Sequence, residues 1–147
     1  MSGFFQITVD CADPDRMARF WASALRYELH GPPQGFGSWS EYWISVGVPA
    51  EETGDRFDAI VDPEGNGPRV WFQHVPEKKT DKNRIHFDVL VGGGRSVPMH
   101  RRRSRVNAEA DRLEALGATV IRVMDSPDLD HYAIAMADPE GNEFDVV

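Results

Sequence analysis

The stretch Asp62-Pro63-Glu64-Gly65-Asn66 recurs unchanged as Asp138-Pro139-Glu140-Gly141-Asn142, 76 residues later (138 − 62). Each copy has the chemistry of a turn. The aspartate side chain accepts from the backbone that follows it, proline presets φ for the first turn position, and Gly-Asn tolerates positive φ. Shared turn chemistry alone could explain one match, so the surroundings decide its meaning. A strand-like run precedes each copy, Phe57 to Val61 and Tyr132 to Ala137. Another follows each, Arg69 to Val75 and Glu143 to Val147. Both turns therefore sit in hairpins, and a whole module is repeated rather than five residues.

Working outward, the two halves open alike. Phe5-Gln6-Ile7-Thr8-Val9-Asp10 alternates apolar and polar residues as a half-buried strand does, and so does Ile85-His86-Phe87-Asp88-Val89. With Ile7 set against Phe87, Gln6 falls on His86 and Thr8 on Asp88, an offset of 80 (86 − 6). The difference from 76 is a loop-length difference. A helix follows each opening strand. Asp13-Pro14 supplies an N-cap and an N1 proline for Met17, Phe20, Trp21 and Ala24 at helical spacing, ending near Leu25. In the second half Ser104 or Asn107 can cap a helix carrying Val106, Ala110, Leu113 and Leu116, with Gly117 placed to end it.

Each half thus reads β, α, then three strands. The expectation is an α+β fold of two tandem βαβββ modules, about residues 4–75 and 84–147, within one domain over 1–147, with curved mixed sheet around a cleft. Between Gln34 and Asp55 a strand over Glu41 to Val46 is expected amid surface loop, because Pro32-Pro33, Gly35, Gly37 and Gly54 interrupt the rest.

The composition bounds the partners. With 147 residues, 41% hydrophobic and 27% charged, the chain has ordinary globular usage. A net charge of −8 argues against nucleic acid, since a phosphate backbone is held by a basic surface. The run His100, Arg101, Arg102, Arg103, Arg105 opposes that balance; it reads first as a solvated loop leading into a helix, and otherwise as a place for an anion or an acidic partner. Cys11 is the one cysteine, so no disulfide forms within the chain. No basic-then-apolar leader is read at the start and no run is long enough for a membrane span, so a cytoplasmic protein is expected.

The quoted motifs together resemble a known family. The opening strand and helix Phe5 to Pro14 with Phe20-Trp21, the segments Pro68 to Glu77 and Asn83 to Val89, and Ala137 to Phe144 are similar in order to the vicinal oxygen chelate superfamily, the glyoxalase/bleomycin-resistance/dioxygenase group, and within it to an actinobacterial glyoxalase-like subfamily. The resemblance implies four inward positions, one on the opening and one on the closing strand of each module, which hold a divalent metal in metal-dependent members. Carried over, these are Gln6, His86 and Asp145, with Trp71 or Gln73 at the fourth; Gln73 is preferred because an indole has no lone pair for a metal. One His, one Asp and two amides make a poor transition-metal site, so either no cofactor or a weakly held divalent metal on His86 and Asp145 is expected.

Without metal, His86 with Asp88 on the same strand face is the best proton-transfer pair, since histidine titrates near neutrality. The aromatics Trp39, Tyr42, Trp43 and Trp71 favour a cavity for something planar or apolar, with Gln6 and Gln73 among its polar groups, whereas Phe72 alternates to the other side. His74, His131 and Cys11 read as structural or exposed. The leading reading is a small-molecule-binding protein of the sequestering, resistance type. The alternatives are a metal-dependent lyase, isomerase or dioxygenase, and a metal-free enzyme using His86 as general base. The resemblance also implies a homodimer, which would cover exposed strand edges.

Overall fold

The computed structural model describes residues 4–147. They form two compact units, one up to Glu77 and the other from Lys78. The first contains β1 (Ile7–Cys11), α1 (Pro14–Leu25), β2 (Glu28–Leu29), α2 (Trp39–Ser45), β3 (Ala59–Val61) and β4 (Val70–His74). Its four strands are ordered β1-β4-β3-β2, with β1 parallel to β4 and the other pairs antiparallel. The second contains β5 (Asp88–Val89), α3 (Met99–Ala115), β6 (Thr119–Ser126), β7 (His131–Ala137) and β8 (Glu143–Val146). Its sheet runs β5-β8-β7-β6, again with the first pair parallel. Two mixed four-stranded sheets and three helices make an α+β fold, and both units follow the βαβββ order.

Local chemistry accounts for the elements. The Asp13 carboxylate accepts from the Arg16 N–H at 3.1 Å, Pro14 opens α1, and Arg26 ends it in the left-handed region at φ 57°. The inner face of α1 buries Met17, Ala18, Phe20, Trp21 and Ala24, and the sheet beside it buries Ile60, Val70 and Phe72. In the second unit Val106, Ala110 and Leu113 of α3 are buried, as are Met136, Phe144 and Val146 of β7 and β8. Burial of each such large side chain contributes about 1.5–3 kcal/mol.

Both DPEGN turns close in the same way. Gly65 and Gly141 have φ of 72° and 88°, and their N–H groups donate to the carbonyls of Asp62 and Asp138. The Asp62 carboxylate accepts from the N–H groups of Glu64, Asn66 and Gly67. Asp138 accepts from those of Glu140 and Asn142 and from the Asn142 amide.

Three local expectations are corrected. The segment Glu41 to Val46 is not a strand: Trp39–Ser45 is the helix α2. Ser38 caps it by accepting from the Glu41 N–H at 3.1 Å, and Glu41 reaches back to accept from the Gly37 N–H at 2.6 Å. This reciprocal cap overrides the β propensity of Tyr, Trp and Ile. The strand that follows α1 is instead the short β2.

The run His100 to Arg105 is not a loop, since α3 begins at Met99, ahead of the caps expected at Ser104 or Asn107. Three of its arginines bond inside the unit. Arg102 is buried and donates to the carbonyls of Val97 and Asp130, and it also pairs with the Asp130 carboxylate. Arg103 clamps Asp125 with two hydrogen bonds of 2.5 and 2.6 Å, and Arg105 donates to the Gly92 carbonyl. Finally, the second opening strand is only Asp88–Val89, with Ile85 and His86 exposed ahead of it. The ladder still extends one step further, because the Phe87 carbonyl accepts from the Asp145 N–H at 3.0 Å.

Candidate functional site

In the second unit, Asp88 of β5 lies directly across from Asp145 of β8 in the parallel register. His86 stands two residues before Asp88 and sends Nδ1 to within 3.1 Å of the Asp88 Oδ1. One ligand atom from each of His86, Asp88 and Asp145 lies within 4.8 Å of the others. The side chains of His86 and Asp88 are 44% and 52% exposed, so solvent reaches the group. Asp88, expected to pair with His86 for proton transfer, is thus also a third potential ligand. An imidazole and two carboxylates suit a divalent ion of intermediate hardness such as Mn²⁺ or Zn²⁺ and leave coordination positions open. If such an ion binds, these three residues hold it, and it would supply Lewis acidity toward a ligand oxygen. The His86–Asp88 contact equally orients an imidazole for proton transfer.

The first unit has no such set at the corresponding positions. Thr8 faces Trp71 across β1 and β4, as Asp88 faces Asp145. Independently, Ala59 faces Trp71 across β3 and β4, as Ala135 faces Asp145 across β7 and β8. Two registers therefore make Trp71 the counterpart of Asp145. The preference for Gln73 is corrected: it lies two residues further along, across from Asp10, and is exposed. The inserted Gly67-Pro68 displaces the sequence alignment by two residues, and strand parity alone could not choose between the candidates.

Gln6, the counterpart of His86, has its carbonyl oxygen occupied. Arg69 Nη1 donates to Gln6 Oε1 at 2.8 Å, while Arg69 Nε donates to His30 Nδ1 at 3.2 Å. The pKa of His30 is held below its ordinary value, first by burial and then by the Arg69 charge, with Asp58 opposing. The His30 carbonyl accepts from Trp39 Nε1 at 3.0 Å, and the His30 ring meets the Trp39 ring edge-on. Trp39 and Trp43 stack at 5.7 Å with 22° between their planes, because positions four apart share one face of α2. Trp71 Nε1 donates to Asp58 Oδ2 at 3.1 Å.

The expected aromatic residues Trp39 and Trp43 thus gather at one place, a cavity of about 310 Å³ that Arg69 and Asp58 also line. Sequence reading missed Arg69, His30 and Asp58. One signal was available: Arg69 is the counterpart of Glu143, a reversal of charge between repeats. His131 opens β7 and His74 is exposed at the end of β4; Cys11 is buried. No helix among the described residues is long and apolar enough to cross a membrane.

The comparisons with known proteins agree with the repeated βαβββ order. The model of the glyoxalase-like domain matches residues 6–147. Among solved structures, a possible glyoxalase from Bacillus cereus superposes with a TM-score of 0.60 at 14% identity, covering 100% of this chain and 99% of that one. The fosfomycin resistance protein FosX from Mesorhizobium loti gives 0.59 at 13% identity, covering 99% and 90%. A mutant FosX from Listeria monocytogenes, complexed with Mn(II) and 1S,2S-dihydroxypropylphosphonic acid, gives 0.59 at 13%, covering 99% and 89%. Such identities speak for the fold alone. Among curated proteins none matches the chain by sequence. The chain belongs to the glyoxalase-like domain family of the glyoxalase/bleomycin-resistance/dioxygenase, or vicinal oxygen chelate, group.

Proposed function

We propose that the protein binds a small aromatic or apolar molecule and holds a divalent metal only weakly, in the manner of a sequestering protein. One observation carries this reading: where the second unit has His86 and Asp145, the first has Gln6, already bonded to Arg69, and Trp71, whose nitrogen donates to Asp58. Neither offers an anionic or imidazole ligand. What remains is the solvent-reached set His86, Asp88 and Asp145, to which a divalent ion binds loosely. Dialysed protein is expected to carry well under one equivalent of transition metal by elemental analysis, while tryptophan fluorescence responds to aromatic ligands. Near-stoichiometric Mn, Ni, Zn or Fe retained through dialysis would sink this reading.

The second reading, a metal-dependent lyase, isomerase or dioxygenase, is favoured by the closeness of those same three ligand atoms. It expects His86→Ala and Asp145→Asn each to weaken Mn²⁺ binding at least about tenfold, as loss of one ligand from a small set does. In a metal-free enzyme His86→Ala would remove turnover and leave ligand affinity nearly intact. For assembly we propose a homodimer in the cytoplasm. The long edge strand β6, with Val120, Ile121 and Val123 exposed, supports the dimer. Light scattering returning the 16.5 kDa monomer mass at micromolar concentration would count against it.

A further inference from the structure

We infer that the cavity of the first unit is a site for an aromatic anion, with Arg69 as its counter-charge and the indole of Trp43 as its stacking face. The inference rests on the small-molecule-binding reading and names the class of ligand.

Arg69 is held unusually for a cation in a chain with net charge −8. Both of its hydrogen-bond partners, Gln6 Oε1 and His30 Nδ1, are neutral acceptors, and it forms no ion pair among the described residues. Its orientation is therefore fixed without its charge being cancelled, and among the described residues Nη2 has no hydrogen-bond acceptor. A guanidinium placed in this way keeps its planar fork for a carboxylate, sulfonate or phosphate. For Nδ1 to accept from Arg69, the His30 proton must be on Nε2 and the ring must be neutral. Burial and the neighbouring guanidinium both favour that form.

The rest of the cavity defines the remainder of the ligand. Trp39, Tyr42 and Trp43 form its aromatic wall. Trp39 is tied down by its bond to the His30 carbonyl and by stacking on Trp43, while Trp43 is 41% exposed and keeps surface free for another ring. Arg56 adds a second guanidinium, and Asp58 is the one carboxylate in the lining. Trp71 fixes the orientation of Asp58 without cancelling its charge, so the two guanidiniums outweigh that single carboxylate by one unit of charge. Two guanidiniums against one carboxylate beside stacked indoles select a flat ring that carries a negative group, and they disfavour an organic cation. The volume of about 310 Å³ fits a ligand of one or two rings and is near the lower end for small-molecule sites.

The experiment compares 2-naphthoate with its neutral analogue 2-naphthamide, by quenching of tryptophan fluorescence on the full chain. Naphthoate is expected to bind at least about tenfold tighter, as a charge-assisted bond predicts, with a preference that shrinks as salt is raised. Arg69→Met should remove most of the preference, leaving only what Arg56 supplies, and alter naphthamide affinity less than about twofold. Arg69→Lys should keep part of it, and this variant decides if Arg69→Met does not fold by circular dichroism. Equal binding of the two probes, or a preference undiminished by the loss of Arg69, overturns the inference while leaving the small-molecule-binding reading standing. If neither probe binds at millimolar concentration, both fall.

Discussion

The two units share their strand order, their parallel first pair and the same five-residue turn, yet they present opposite chemistry on corresponding strands. The second brings His86, Asp88 and Asp145 together. The first places Gln6, Thr8 and Trp71 at those positions and sets a guanidinium beside them. The repeated part is what the fold needs: a φ-positive glycine, an aspartate that gathers turn amides, and buried residues at alternate positions. The divergent part lies on the other face of the same strands, where period-two alternation lets side chains change without disturbing the core. Backbone equivalence therefore identifies where a site is, and only the side chains say what it does.

The largest expected effect tests whether the cores are as alike as the topology. Phe144 and Phe72 are both essentially inaccessible, one in each unit. Phe144→Ala and Phe72→Ala should each lower the unfolding free energy by about 3–5 kcal/mol in urea denaturation, the range for removing a buried phenylalanine. A loss under about 1 kcal/mol at either position would show that its layer relaxes around the gap.

Next comes a contrast within the identical turns. Asp138 is buried, and its carboxylate gathers two backbone N–H groups and the Asn142 amide. Asp138→Ala should cost about 1–3 kcal/mol because those donors lose a partner away from water. Asp62→Ala should cost less, since solvent can replace the acceptor. The pKa of Asp62 is lowered by the N–H groups of Glu64, Gly67 and Asn66, Glu64 foremost. A depressed carboxyl stabilises the fold above its unfolded value of 3.8 and loses that contribution as pH falls below it. Wild type should therefore lose stability more steeply than Asp62→Asn below about pH 3.8. Parallel acid curves would refute the assignment.

How much of this was legible follows from which residues carry local signals. The DPEGN repeat, Asp13-Pro14 and the alternation of β1 depend on neighbours in sequence, and they led directly to the βαβββ modules; His86 and Asp145 came from the family resemblance, and Asp88 from its alternation with His86. The helix α2 was misread because Tyr42, Trp43 and Ile44 favour strands. The decisive signals were the Ser38-x-x-Glu41 cap and the i, i+3, i+4 spacing of Trp39, Tyr42 and Trp43. The start of α3 was obscured by its arginines, because the acceptors of Arg102 at Val97 and Asp130 are known only once the chain is folded. Arg69 was missed for the same reason: its partners lie 63 and 39 residues away in sequence.

A smaller effect isolates the purely local part of the comparison. Gly65 and Gly141 have similar positive φ, and a Cβ at either would meet nothing within 4 Å. Gly65→Ala and Gly141→Ala should therefore cost nearly the same, about 1 kcal/mol each, from left-handed strain alone. A thermal melt separating the two variants by more than the cost itself would mean that the turns are not equivalent in their backbone demands, despite identical sequences.

The smallest effect belongs to His30, which is only partly buried, so its interactions are screened by solvent. Its folded pKa lies below the ordinary histidine value of 6.5, chiefly through burial and then through Arg69. Between the folded and unfolded values the unfolded chain binds more protons, so stability rises with pH across that window. His30 therefore leaves the fold most stable above about pH 6.5 and weakens it as pH drops toward the lower folded value. Protonation also turns Nδ1 from an acceptor into a donor and ends its bond with Arg69, which releases the guanidinium from one of its two supports. The stability advantage of wild type over His30→Gln should shrink from pH 7.5 to pH 5, since glutamine keeps a neutral acceptor at every pH. In a histidine-resolved NMR titration the His30 ring should change state below 6.5, and a midpoint at or above that value would show that burial and Arg69 do not disfavour the charged ring.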